Sequence, residues 1–151
     1  MALDWLVGKY EEVSKGLKTE VTKIKNKQFL ESVLAGVVAV SYADGSVSSE
    51  EKNKMMGFLR ANDVLSVFDS DKVIELFNKY MSKYEFDTGI GEMEALAVVA
   101  KLKPKEAEAR LLVRVCCAIG AADGNFDDSE KTVVRKICSE LGLNPADFDL
   151  A

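Results

Sequence analysis

The chain has 151 residues, of which 48% are hydrophobic and 30% are charged, and its formal net charge is −5. A chain of this size is expected to fold as one globular domain, residues 1–151, around a single core. The negative charge argues against a nucleic-acid-binding protein, because binding to phosphates requires a surplus of Lys and Arg. The sequence has no His, which removes His-based catalysis and imidazole metal sites.

Cysteine usage and hydropathy predict where the protein works. The three cysteines have no CxxC spacing, and the chain does not open with a signal-peptide pattern. Both observations predict a cytoplasmic protein. The longest apolar run, residues 33–40, is far shorter than the roughly 20 residues that span a bilayer, so no direct membrane span is expected.

Apolar residues recur at helical spacing through nearly the whole chain, which contains only two prolines. This pattern predicts an all-α protein. The first helical segment follows apolar positions from Leu3 to Ile24. It belongs to an N-terminal segment, residues 1–27, that is expected to pack on the bundle or to flank it. Further helices are predicted at residues 29–40, 49–61 and 71–84.

The second half of the chain continues the helical pattern. A helix is predicted over residues 91–102, and Pro104 is expected in the first turn of the next one, which runs through Ile119. The last long helix is predicted from about Ser129 to Leu141, with its end at Gly142. The whole chain is thus expected to form a compact bundle of about seven helices.

Two near-copies of one decapeptide occur at an offset of 79 residues. Residues 43–52 read ADGSVSSEEK, and residues 122–131 read ADGNFDDSEK. Apolar positions on both sides repeat at the same offset, so each copy is a helix, an ADG corner and a second helix. If two such hairpins pack face to face, they form a pseudo-symmetric bundle. Both corners are then expected at one end of the bundle or on one face.

A structural explanation covers most of each corner. Gly45 and Gly124 stand where a helix can end in the left-handed conformation. A Ser or Asp three residues before a Glu predicts a capping box, and the apolar residue before it predicts a hydrophobic staple. These residues are Ser48 with Glu51 and Val47 in the first copy, and Asp127 with Glu130 and Phe126 in the second.

Asp44 and Asp123 fit this explanation less well. Both are predicted in the last turn of the incoming helix, where an acid is unfavourable by about 0.3–1 kcal/mol because of the helix dipole. Two alternatives compensate this cost. A divalent cation can lie between the carboxylates, or each side chain can accept a hydrogen bond from amides of its own loop.

Comparison with calcium-binding loops defines what each corner lacks. Gly45, Val47 and Glu51 have the spacing of positions six, eight and twelve of an EF-hand loop, and the second copy keeps it. The residues at positions one and three have no carboxylate in either copy, so each corner is half a site. Carboxylates favour Ca, Mg or Mn. A cation would therefore need ligands from both corners or from water, and its affinity would be modest.

The two motifs, the start MALDWL and the run FLESVLAGVVAVSYADG resemble the TerB-like family of bacterial tellurite-resistance proteins over the whole chain. The resemblance implies a cytoplasmic helical domain linked to stress resistance, with no associated catalytic activity. It also implies work with other tellurium-resistance proteins, including the integral membrane protein TerC, and membrane association through that partner. An acidic metal site is implied at Asp44, Glu51, Asp123 and Glu130, with Glu50, Asp127 and Asp128 as helpers.

Two further features have an ordinary and a functional interpretation. Cys116 and Cys138 align with apolar positions of the first hairpin, which predicts core positions, whereas Cys117 has no such assignment. The basic stretch KTEVTKIKNK, residues 18–27, could lie against an anionic membrane or a partner. The ordinary interpretation is a helix that covers the bundle and exposes its lysines to water.

Together with the resemblance, these observations favour a non-enzymatic, metal-binding helical adaptor, and the resemblance implies that it acts in tellurite resistance with a membrane partner. The first alternative is a carboxylate-metal-dependent hydrolase, in which the metal activates water and Glu51 or Glu130 acts as the base. The second alternative is a structural interaction bundle without a ligand.

Overall fold

A computed structural model describes residues 10–122 and 126–150. These residues form seven α-helices, and no strand occurs in either range. The helices are α1 Tyr10–Ile24, α2 Lys27–Ser41, α3 Ser49–Ala61, α4 Ser70–Phe86, α5 Thr88–Ala100, α6 Glu106–Ala122 and α7 Asp128–Leu141, with short 3-10 helices at Val64–Val67 and Pro145–Phe148. The predicted all-α fold of about seven helices is confirmed. No helix within the described residues is long and apolar enough to cross a membrane.

Helix α2 lies at the centre of the bundle, where it contacts α4, α5, α6 and α7. Every side chain from Ser32 to Val40 is buried, because this helix is apolar nearly all round and has neighbours on several sides. Helix α3 packs on α4, whereas α7 packs on α2, α5 and α6. The two predicted hairpins therefore share one core that is built around α2.

Helix α1 packs on α6 and on the first 3-10 helix. Leu17 and Val21 are 2% and 1% exposed, while Lys23, Lys25 and Lys27 are exposed. This part of the chain thus covers the bundle and presents lysines to solvent. The predicted helical positions from Leu3 to residue 9 lie outside the described residues.

Two helix boundaries differ from the sequence-based expectation. Helix α5 begins at Thr88, because Asp87 caps it by accepting a hydrogen bond from the amide of Ile90, with 2.9 Å between oxygen and nitrogen. The expected first-turn position of Pro104 is wrong. Pro104 lies in a turn, in which the Lys105 amide donates to the Leu102 carbonyl at 2.9 Å, and α6 begins at Glu106.

The junction of α4 and α5 carries three exposed apolar side chains. Phe86, Ile90 and Met93 are 81%, 39% and 64% exposed, respectively. We refer to these three residues as the junction patch. Its members lie at the end of α4 and on the first two turns of α5.

Candidate functional site

The first corner joins α2 to α3. Helix α2 ends at Ser41, so Asp44 stands three residues beyond it and not in its last turn as expected. Its carboxylate Oδ1 accepts a hydrogen bond from the Ser46 amide at 3.3 Å. The predicted positive φ of Gly45 is confirmed at 100°. Asp44 therefore has the local partner that a structural corner provides, and the helix-dipole argument no longer singles it out.

The same corner contains the predicted capping box of α3. The Ser48 hydroxyl accepts from the Glu51 amide at 3.1 Å, and Glu51 Oε1 accepts from the Ser48 amide at 2.9 Å. Val47 is partly buried against the core, as expected for a hydrophobic staple. This reciprocal arrangement fixes the Glu51 side chain at the start of α3.

The second corner joins α6 to α7, and its predicted residues Asp123 and Gly124 lie outside the described ranges. The rest of this corner has the predicted capping box. Asp127 Oδ1 accepts from the Glu130 amide at 2.9 Å, and Glu130 Oε1 accepts from the Asp127 amide at 3.0 Å. The ring of Phe126 lies against Gly120, where an added Cβ would stand only 2.9 Å from Cδ1.

Both corners face one cleft of about 300 Å³, which we call the acidic cleft. Four carboxylate residues line it, two from each corner: Asp44, Glu51, Asp127 and Glu130. Lys54 is the one basic residue among the described residues of the lining. Asp44, Glu51, Asp127 and Lys54 are exposed, whereas Glu130 is half-buried. The exposed mouth of the cleft is therefore predominantly acidic.

The floor of the acidic cleft is apolar. It is formed by side chains from four helices, namely Val37, Val40, Met55, Phe77, Met81, Cys116 and Ile119. All of these are buried except Met55, which is half-buried. Phe77 and Met81 belong to α4, and sequence patterns place them only in the core. Their position below the two corners depends on how α4 packs against the hairpins, for which the sequence carries no local signal.

Hydrogen bonds favour the ionised form of two carboxylates at the mouth. The Ser48 amide, followed by its hydroxyl, lowers the pKa of Glu51. The Glu130 amide, followed by the Ser129 hydroxyl, lowers the pKa of Asp127. Bonds donated to a carboxylate stabilise its charged form. Both groups are therefore negatively charged at neutral pH.

The remaining predicted ligands are placed differently. Glu50 and Asp128 are exposed in the first turns of α3 and α7, outside the lining of the cleft. Oxygen donors of the acidic cleft are of the type that hard cations prefer. However, no group of three or more Cys, Asp or Glu side chains within residues 10–122 and 126–150 is arranged to hold a metal ion. The described carboxylates thus fit a hard cation in chemical type, but they do not form a complete site by themselves.

Comparisons with known proteins identify the family of this chain. Residues 30–151 match the family model described as "Tellurite resistance protein TerB". The chain is 41% identical over 99 residues to a protein of Alcaligenes sp named "Tellurium resistance protein TerB", which covers 66% of this chain and 81% of that protein. No solved structure matches the chain. The matched range contains both corners, and the chain belongs to the TerB family of tellurite-resistance proteins.

Proposed function

We propose that this TerB-family protein is a non-catalytic adaptor in tellurite resistance whose acidic cleft binds a divalent cation. One observation carries the proposal: capping-box carboxylates from two separate hairpins line a single cleft. A carboxylate has several acceptor positions, so a capping Glu can bond a helix amide with one oxygen and present the other to a cation. The oxygen donors favour Ca, Mg or Mn.

The arrangement of ligands supports modest affinity. Because no group of three described side chains is arranged around a common point, water and Asp123 would have to complete the coordination. Glu50 and Asp128 lie outside the lining and would contribute only through their charge. Such a site resembles weak, partly hydrated cation sites more than a preformed cage.

A non-catalytic role is supported by the groups that the cleft lacks or keeps inactive. The sequence contains no His to act as a base. Cys116 in the floor is 2% exposed, and burial raises the pKa of its thiol to about 12. A thiol must lose its proton to act as a nucleophile. The cleft is therefore better suited to binding than to chemistry.

The adaptor would act in the cytoplasm and reach the membrane through other tellurium-resistance proteins, including TerC. Family membership supports the link to tellurite resistance, and the partner is proposed from the sequence resemblance described above. Co-purification with tagged TerC from detergent-solubilised membranes measures the association. A chain that never accompanies TerC at any divalent-metal concentration would contradict the adaptor role.

The cation proposal is tested by ¹H–¹⁵N NMR titration with Ca, Mg, Mn and Zn. We expect saturable changes at residues of both corners, and line broadening there with paramagnetic Mn. Asp44→Asn and Asp123→Asn should weaken binding, and Asp44→Asn keeps an oxygen that can accept from Ser46. Glu50→Gln removes the same charge outside the lining, so it measures how much of any loss is due to charge alone. Unchanged spectra at millimolar metal would rule the cation out.

A further inference from the structure

The floor of the acidic cleft is apolar, which a cation site does not require. Val37, Phe77, Met81 and Ile119 are buried side chains that nevertheless border the cleft. A hydrated cation gains nothing from contact with such a surface, since its favourable interactions are with oxygen donors. An apolar group that displaces water from this floor does gain free energy.

Two thioether side chains make the floor adaptable. Met81 lies in the floor, and the half-buried Met55 borders it from α3. Methionine is flexible and polarisable, and it accommodates apolar partners of different shape. Movement of these two side chains would let the floor accept a Leu, Ile, Met or Phe side chain without a precise steric match.

The mouth selects the charge of the occupant. Asp44, Glu51, Asp127 and Glu130 line the cleft, against Lys54 among its described residues. Complementary charge favours a basic partner and disfavours an acidic one. An occupant that satisfies both mouth and floor must carry cationic groups beside an apolar group.

The size of the cleft restricts how much of a partner can enter. A volume of about 300 Å³ is at the lower end of the range for ligand sites in proteins. It accommodates one or two side chains and not a whole helix. Anchoring by a few buried side chains, with polar contacts around them, is a common form of protein recognition.

We infer that the acidic cleft docks a basic, amphipathic helical segment of a partner protein, which inserts an apolar anchor into the floor while its Lys or Arg side chains pair with the carboxylates at the mouth. The inference rests on the proposed function in that it assigns a partner to the same cleft. Because a divalent cation and the basic segment use the same carboxylates, each should weaken binding of the other.

The test uses a synthetic helix of about 16 residues, built from Leu and Lys with Leu on one face. One control peptide replaces each Leu by Ser at the same charge, and a second replaces each Lys by Glu. Binding is measured by calorimetry and by NMR of the full chain. We expect saturable binding of the Leu–Lys peptide, with intermolecular NOEs from its Leu methyls to the methyls of Met55 and Ile119, and no saturable binding of either control.

Matched variants locate the site. Met55→Gln, which places an amide in the lining, should weaken the Leu–Lys peptide by about tenfold or more. Met56→Gln should leave its affinity unchanged, because Met56 is also half-buried but lies outside the described lining. Circular dichroism checks that both variants fold. If Met55→Gln does not fold, the NOEs of the unsubstituted chain decide the question.

Several results would overturn the inference. Equal affinity for the Leu–Lys and Ser–Lys peptides would mean that charge alone is recognised. NOEs confined to the junction patch would mean that the peptide binds exposed apolar side chains elsewhere. Absence of binding at millimolar peptide would also overturn it. Cation binding is measured separately. Met55→Gln should keep the metal-induced changes in the NMR spectrum, so a result can contradict the docking site without contradicting the cation site.

Discussion

The three thiol groups are buried, and that of Cys116 borders the acidic cleft. Cys116, Cys117 and Cys138 are free and buried. Desolvation raises the pKa of all three thiols, to about 12 for Cys116 and to about 11 for Cys138. The expected core positions of Cys116 and Cys138 are confirmed, and Cys117, which the repeat did not assign, is a core residue as well.

Thiol reactivity should therefore be limited by unfolding. In the native protein at neutral pH, we expect reaction with an excess of Ellman's reagent to be at least about a hundredfold slower than in denaturant, because access is blocked and little thiolate forms. The measurement is the time course of thiol release with and without urea. One thiol that reacts rapidly in the native state would contradict the expectation, and Cys116→Ser would show whether it is the thiol in the cleft floor.

At the scale of the helices, patterns among residues close in sequence predict the structure better than it can be predicted where tertiary packing decides it. The capping boxes at Ser48 and Asp127 involve residues only three positions apart, so they are readable from the sequence, and both are confirmed. The placement of Asp44 in the last turn of α2 is wrong, because this helix ends at Ser41 and the chain closes with tight turns through Tyr42 before it reaches Asp44. Pro104 was misplaced for a similar reason, since a turn competes there with the first turn of a helix.

The candidate cleft was only half predictable. Its acidic mouth follows from the repeated decapeptide, which presents carboxylates at both corners. Its apolar floor comes in part from α4, where Phe77 and Met81 have the same helical spacing as other core residues. No pattern along the chain distinguishes a core residue that borders a cleft from one that does not, because this depends on the packing of distant helices.

Substitution of alanine at two helical glycines should change the stability of the protein in opposite directions. At Gly91 in α5, a Cβ would stand 2.6 Å from Tyr84 Cγ and 2.7 Å from Tyr84 Cα in α4. Gly91→Ala should lower the free energy of unfolding by about 1–3 kcal/mol or more, since the helices must separate. At Gly57 in α3 nothing lies within 4 Å of the added Cβ. Gly57→Ala should therefore raise the free energy of unfolding by about 0.5–1 kcal/mol.

Urea unfolding followed by circular dichroism measures both glycine variants under the same conditions. The opposite signs make the comparison informative, because both substitutions add one methyl group to a helix. If Gly91→Ala were as stable as the unsubstituted protein, the close approach of α4 and α5 would be wrong.

At the scale of the whole molecule, the part of the chain that unfolds cooperatively should include helix α1, which precedes the residues matched by the family model. The match begins at residue 30, whereas α1 ends at Ile24. Even so, Leu17 is buried in the common core, and Arg114 of α6 pairs with Glu20 at 3.3 Å. Helix α1 therefore completes the core and is not a separate appendage.

Replacement of a single buried residue in α1 tests whether α1 unfolds together with the rest of the bundle. Leu17→Ala should lower the free energy of unfolding by about 2–5 kcal/mol and keep a single unfolding transition. Lys23→Ala, on the exposed face of the same helix, should change it by about 0.5 kcal/mol or less. The measurement is chemical denaturation monitored by circular dichroism and by amide exchange in α2. Early melting of α1 alone, with α2 unaffected by Leu17→Ala, would contradict one cooperative unit.

The central position of α2 has a consequence for synthesis of the chain. This helix leaves the ribosome before α6 and α7, which cover two of its sides, have been synthesised. Until then its apolar segment, residues 32–40, has only part of its final cover. Incomplete chains with exposed apolar surface are prone to aggregate. The native bundle should therefore form only after α7 has been synthesised and has left the ribosome.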